Sequence, residues 1–385
     1  VTTLDFELNE AQRALQAAVR RFARNEVEPL AAEIDRDERF PHESFKKAAE
    51  LGLLGITISE EYGGSGGSYM DMMIAAEELS AVCASTCVAC LANACLFGDN
   101  VFRNGSEYLK RKYLPPMCAG EAVGGVAMTE PEAGSDVTAM KMRAENRGDH
   151  YLLNGTKTFI TNAPIADALI VYAKTAPEKG AHGISAFVVE RNFPGFATGR
   201  KFEKMGWRGS PTGEVILENC VVPKENLLGE ENGGVRVLMS GLNTERLGMA
   251  AMSVGIARGA FEKALRYAQE RRQFGKPLAE FQYVQGKLVD MAVNIEAARL
   301  LVYKGATLAD RGRHGKELNL LASYAKLFAS EMCMRVTTEA VQVFGGYGYI
   351  REFPLERYMR DAKIMTIGGG TSEIQKIIIM RELLT

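Results

Sequence analysis

From Asn9 onward the apolar residues recur at helical spacing, with Leu15, Val19, Phe22 and Val27 on one stripe of "NEAQRALQAAVRRFARNEVEPLAAEI". Asn9 and Gln12 have the residue types of an N-cap and its box partner. Helical runs continue to about Gly120, interrupted by "EEYGGSGGSYMD", Glu60 to Asp71, a loop whose glycines lack dinucleotide-binding spacing. Then the period changes. "YLLNGTKTFIT" reads as two short strands around an Asn154-Gly155 hairpin turn, and "ALIVYAK", "GISAFVVE" and "GEVILENCVVP" are further strands. After Gly234 the helical period returns, in runs such as "ARGAFEKALRYAQERRQF" and "LLASYAKLFASEMCMRVTTEAVQVF". The pattern predicts helical residues 1–122, a β domain over 123–234 and helical residues 235–385. The chain is mostly α with a central β domain, and no βα alternation suggests a barrel or doubly wound sheet.

Composition narrows this little. The chain has 385 residues, 46% hydrophobic and 24% charged, with a net charge of -2, so no bulk charge recruits nucleic acid. The opening "VTTLDFELNEAQ" lacks a basic and apolar leader pattern, and no uninterrupted apolar run predicts a membrane span. A cytoplasmic or organellar-matrix location is expected, cytoplasmic in a bacterium and the mitochondrial matrix in a eukaryote. Seven cysteines are expected as free thiols in a reducing compartment. His42, His150, His182 and His314 lie far apart, which argues against a histidine metal site.

Four stretches could carry chemistry. Cys83, Cys87, Cys90 and Cys95 include a C-x3-C-x2-C spacing that an iron–sulfur cluster could use, yet their small apolar surroundings favour packing. "AMTEPEAGSDVTA", Ala127 to Ala139, is a polar loop whose backbone N–H groups could approach an anion or a flat ring. In "QVFGGYGYIREFPLERYMRDAK", Gly345 and Gly346 suggest a tight backbone passage, and Arg357, Arg360 and Asp361 a charged cluster. The fourth, "DAKIMTIGGGTSEIQ", sets Gly368 to Gly370 on the approach to a C-terminal helix.

The loop Ala127–Ala139, "TFITNA", "ERRQFGKPLAEFQ" and the tail "QxxGGxGY…MRDAK…GT" together resemble the acyl-CoA dehydrogenase family, over essentially the whole chain. The resemblance implies an N-terminal helical domain, a middle β-barrel or sandwich domain and a C-terminal four-helix bundle. It also implies FAD, bound without a Rossmann fingerprint. Val126, Met128, Thr129 and Ser135 would contact the flavin and its phosphates, and Phe159, Ile160 and Thr161 would cover the ring. Arg271, Phe274, Gln282, Gln342, Gly345, Gly346, Thr371 and Glu373 would hold the FAD of a neighbouring subunit in a homotetramer. The implied reaction removes the α-proton and a β-hydride from an acyl-CoA thioester, giving a trans-2-enoyl-CoA, with electrons passing to an electron-transfer flavoprotein.

Most of the family carries its base as Tyr-Glu-Gly-Thr where this chain reads Gly368-Gly369-Gly370-Thr371. The resemblance to the isovaleryl-CoA and long-chain branches moves that role to Glu245 in "MSGLNTERLGMAA", a helix carboxylate that could otherwise pair with Arg246 or Lys263. Asn243, Arg246 and Ser135 would then contact the thioester and its pantetheine arm, and Gly369 and Gly370 the thioester carbonyl. "GVRVLMSGLNTERLG" and "IGGGTSE" resemble the isovaleryl branch most. Met365 stands where that branch has tyrosine, and Gly98-Asp99 replaces a larger apolar residue and an amide, which suggests a roomier pocket. A long branched, terpenoid, aromatic or dicarboxylic acyl group is the rival substrate, and a flavin oxidase or a non-catalytic acyl-CoA binder the rival functions. Asp99 is expected at a helix end or facing solvent, with a second acid–base role as the alternative.

Overall fold

The computed structural model describes residues 7–313 and 315–384; residues 1–6, His314 and Thr385 lie outside them. The N-terminal helices are α1 (Glu10–Phe22), α2 (Ala31–Asp37), α3 (His42–Glu50), α4 (Tyr69–Ser80), α5 (Ala84–Leu91), α6 (Asp99–Asn104) and α7 (Glu107–Cys118). Asn9 caps α1, and both halves of its box with Gln12 form. The stripe from Val19 to Val27 is buried, but the helix does not run straight to α2. A π turn at Ala23–Val27 and a 3-10 turn at Glu28–Leu30 intervene, the latter at Pro29, which cannot donate to the preceding turn. The glycine loop ends earlier than its composition suggests, because Ser68 and Asp71 form a capping box that starts α4.

The central strands are β1 (Gly124–Ala127), β2 (Arg143–Asn146), β3 (His150–Thr161), β4 (Ala168–Lys174), β5 (Ile184–Glu190), β6 (Phe196–Lys201), β7 (Thr212–Pro223) and β8 (Leu227–Leu228). They form one sheet in the order β6-β7-β3-β2-β4-β5-β8, with β1 parallel to β4. Asn154-Gly155 is not a hairpin turn. It lies inside β3, where the register against β7 shifts, and the Asn154 side chain bonds Asn219 across the strands. Gly155 has φ +146°, and a Cβ there would meet Met142 Cα at 3.0 Å, so the glycine permits a bulge and a close approach rather than a reversal. The reversal falls at Arg147–Asp149, where the Gly148 N–H donates to the Asn146 side chain.

The C-terminal helices are α8 (Gly234–Glu270), α9 (Gln282–Asp310), α10 (Lys316–Phe344), α11 (Leu355–Lys363) and α12 (Ser372–Leu384). One core joins α1, α4 and α5 to α8, α9 and α10. A second joins Phe97 and Tyr113 of the N-terminal region to Ile170 and Tyr172 of β4 and to Val237 of α8. Helix α8 is therefore packed on nearly all sides, and Gly255 and Gly259 let it approach α4, where a Cβ would meet backbone at 2.3 and 2.0 Å. The helical stretch Ala84–Asn104 is long and apolar enough to cross a membrane by composition, yet its most apolar window is 83% buried. Its apolarity reflects burial inside the protein. Cys83, Cys87, Cys90 and Cys95 are all free and buried there, and burial pushes the Cys90 thiol up to about 12.

Candidate active site

Glu245 lies in the middle of α8, among residues that are otherwise core, and its half-buried side chain points at the glycine tail. A Cβ built on Gly369 would stand 3.8 Å from Glu245 Oε1 and 3.2 Å from Met249 Cγ. Gly369 and Gly370 have φ of +62° and +84°, a conformation that side chains resist. This turn ends at Thr371, whose side chain accepts the Ile374 N–H at 3.2 Å to start α12. Glu373, exposed in the first turn, is held below the usual carboxylate range chiefly by its own backbone N–H and then by Thr371.

The Glu245 carboxylate has no hydrogen-bond partner among the described residues, and Lys263, the alternative partner, pairs with Glu28 instead. Burial pushes the Glu245 carboxyl above the usual range, against the nearby positive charges of Arg246 and Lys326. Arg246 is itself buried, donating to Asn243 Oδ1 at 3.1 Å and to Asn319 Oδ1 at 2.7 Å. Asn243 and Arg246 are thus brought together as a bonded pair beside the carboxylate, whereas Ser135 sits exposed on a loop of the β domain.

Asp99 opens α6 but does not face solvent. It is 1% exposed, 2.5 Å from Arg103 in an ion pair and 3.3 Å from the Tyr69 hydroxyl. The missing side chain of Gly98 does not enlarge a pocket either: a Cβ there would meet Ile58 Cδ1 at 2.9 Å. Met365 is fully buried in the helical core.

In the β domain, Val126, Met128 and Thr129 leave β1 beside the end of β3, where Thr129 O accepts the Thr158 N–H at 2.9 Å. Lys157, fully buried, donates to Met128 O at 3.0 Å and to Glu130 at 2.8 Å. Phe159 is 66% exposed with φ +57°, its ring centroid 5.1 Å from that of Phe202. Ile160 turns into the sheet core, so only its backbone faces the same side. Thr161 pairs with Thr212 at the end of β3.

A separate groove of about 520 Å³ is lined by Arg271, Gln273, Leu278, Gly345, Gly346 and Tyr347. Gln282 and Gln342 are exposed near it at the ends of α9 and α10, and Phe274 is 94% exposed. Gly345 and Gly346 form no tight passage in the single chain: a Cβ on either meets nothing, and Gly345 is needed for its φ of +60°. The cluster of Arg357, Arg360 and Asp361 is a domain junction rather than a surface: Arg360 grips Asp35 at 2.6 Å, and Asp361 accepts the Trp207 N–H at 2.6 Å.

The composition reading missed Lys326 and Gln375, the two donors that hold the glycine turn. Lys326 was detectable, since it falls on the stripe Ala322, Lys326, Ala329, Cys333, where every other residue is small and apolar or a thiol. Gln375 carries no such signal.

An exposed aromatic ring and open backbone at one end of the β domain suit a flat heterocycle, and a groove with one arginine and two glycines suits a diphosphate. Together with the half-buried helix carboxylate, these features fit a flavoprotein oxidoreductase, the class that the comparisons with known proteins establish. The chain belongs to the acyl-CoA dehydrogenase family: its N-terminal, middle and C-terminal domain models match residues 9–121, 125–220 and 232–384. The family's cofactor is FAD. The chain is 47% identical to the short-chain-specific acyl-CoA dehydrogenase of Clostridium acetobutylicum, over 98% of each chain. It is 44% identical to the mitochondrial isovaleryl-CoA dehydrogenase of Oryza sativa, over 97% of this chain and 91% of that one. A solved structure described as the electron transferring flavoprotein of Acidaminococcus fermentans is 44% identical and covers 99% of this chain and 100% of its own, with a TM-score of 0.96.

Proposed function

We propose that this acyl-CoA dehydrogenase uses Glu245 as the base that removes the α-proton of an acyl-CoA thioester. One observation carries the reading: the Glu245 carboxylate reaches to 3.8 Å from where the first side-chain carbon of residue 369 would stand. A base in a dry hollow is strengthened by the same burial that raises its pKa. One carboxylate, not two, belongs in such a space, because a second would repel it and stay protonated. The Gly369 and Gly370 N–H groups would face the thioester oxygen, where charge builds as the proton leaves. Asn243 and Arg246 would steady the thioester end of the CoA, and Ser135 its pantetheine arm.

Bound FAD supplies the hydride acceptor. Val126, Met128, Thr129, Ser135 and the backbone of Ile160 would seat it, with Phe159 and Thr161 over the ring. Arg271, Phe274, Gln282, Gln342, Gly345, Gly346, Thr371 and Glu373 would complete the site of a neighbouring subunit, which makes a homotetramer the working state. The exposure of Phe274, Tyr283 and Tyr349 supports a covering partner chain. Electrons would leave to an electron-transfer flavoprotein.

For the acyl group, isovaleryl or another short branched chain is favoured. The buried Asp99, held by half-buried Tyr69 and Arg103, favours as second reading a bulkier acyl group with a polar end, such as a dicarboxylic one. One methylene discriminates by only about 1–3 kcal/mol, so the chain must be found by assay. Anaerobic holoprotein mixed with a panel of acyl-CoAs should lose its flavin absorbance with the true substrate. Binding without bleaching would overturn the dehydrogenase reading, and rapid peroxide formation in air would make the protein an oxidase.

A further inference from the structure

We infer that Lys326 is a positioning residue of the reaction: its buried ammonium fixes the Gly369-Gly370 turn and supplies the positive charge that keeps Glu245 ionised beside it. The inference rests on the reading of Glu245 as the base.

Lys326 is fully buried in α10, where an unpaired ammonium is costly, and its Nζ donates to Gly370 O at 2.6 Å. Gln375, also fully buried, donates to the same oxygen at 3.1 Å and to Gly369 O at 3.2 Å. Both carbonyls are therefore tied to buried side-chain donors. In a turn with positive φ at both glycines, fixing the carbonyls fixes which way the N–H groups point, and those N–H groups are what a thioester oxygen would meet. The structure gives Lys326 no carboxylate within ion-pair distance among the described residues, so its charge is not spent on one partner. The charged groups around it are Glu245 and Arg246 from α8, Glu331 from its own helix and Glu373 from α12. The titratable groups within electrostatic reach of Glu245 are Arg246, Lys326 and the uncharged Cys95 and Tyr172. Arg246 is bound to two amide oxygens, which leaves Lys326 as the cation that both touches the turn and faces the carboxylate. Burial brings Lys326 down to about 8, within reach of an assay.

Two substitutions separate the roles. K326Q keeps a donor for Gly370 O and removes the charge; K326M removes both. With kcat measured against pH on FAD-loaded enzyme, wild type should show a fall at alkaline pH that neither variant shows. The acid limb of both variants should move to higher pH, because Glu245 loses a stabilising cation. At neutral pH kcat should fall at least about tenfold in both. K326M alone should also weaken binding of the enoyl-CoA product, measured by calorimetry, about tenfold, because its turn keeps only the longer bonds from Gln375. FAD content and melting temperature establish that each variant is folded, and K326Q carries the test if K326M is not. Wild-type pH limbs in K326Q with unchanged product affinity in K326M would overturn the inference. An inactive E245Q beside such variants would leave the base in place and sink only Lys326, whereas an active E245Q would sink the base itself.

Discussion

Glu245 Oε1 stands 3.8 Å from where the first side-chain carbon of residue 369 would be. Two positions 124 residues apart in sequence, 369 less 245, thus border one volume, and on the proposed role of Glu245 a carboxylate should reach it from either. E245Q is expected to abolish turnover, by about 10³-fold or more, while FAD content stays that of the wild type. Moving the acid, with E245G and G369E together, should restore only part of the rate. The backbone at 369 has φ +62°, which costs a side chain about 1–2 kcal/mol, and the new Cβ would press on Met249 Cγ at 3.2 Å. Adding M249A should raise the recovered rate. Steady-state kinetics of the three variants test this, and no recovery in the triple variant would argue against a shared volume.

The same carboxylate sets opposite pH trends for rate and stability. Burial raises its pKa in the folded state, so it becomes a base only as pH rises through that value, and kcat/KM should fall about tenfold per unit below it. This acid limb should lie above the roughly 4.3 of a free glutamate. For a group with a raised folded pKa, the stabilising contribution is complete below the unfolded pKa and is lost as pH rises through the folded one. E245Q cannot ionise. It should therefore melt above the wild type at pH 8 and close to it at pH 4, and equal melting at both would mean that Glu245 is not desolvated.

The α–β–α order was legible because helical and strand periods differ and each segment keeps one of them for tens of residues. The Asn154-Gly155 turn was misread because a local turn signal is also a bulge signal, and which one forms depends on Met142 and Asn219, remote in sequence. At the site, the glycine tail announced a missing side chain, and a resemblance supplied Glu245 as its replacement. Asp99 was expected at a helix end or facing solvent; it does open α6, but its burial depends on Arg103 one turn on and on Tyr69 in another helix, a pairing that no single-helix pattern contains. Lys326 and Gln375 escaped for a similar reason, since each is polar on a core face and explained only by a carbonyl of the glycine turn.

Lys157 and Glu130 form a buried pair under the loop that carries Met128 and Thr129, with side chains 0% and 7% exposed. Glu130 also accepts the Lys141 N–H at 2.5 Å and the Met142 N–H at 3.0 Å, so the pair ties the end of the loop back to its start. K157M leaves that carboxylate buried without its cation, which should cost about 3–5 kcal/mol of stability. E130Q with K157M should recover most of the loss. Denaturant titration of the two variants decides it: a single variant as stable as the double would show that the pair does not hold the loop.

Phe159 places strain and function at one residue. Its φ of +57° lies in the left-handed region, where a side chain costs about 1–2 kcal/mol, and its ring is 66% exposed in the isolated chain. Strain that persists without burial to reward it marks a position kept for a ligand. Glycine adopts this conformation freely, so F159G should hold or raise the stability of the apoprotein, by up to about 1 kcal/mol once the greater freedom of unfolded glycine is counted. With Phe159 over the flavin as proposed, the same change should weaken FAD binding about tenfold, read by fluorescence titration of the apoprotein. Lower stability with unchanged FAD affinity would instead make Phe159 a packing residue for Phe202, its neighbour at 5.1 Å.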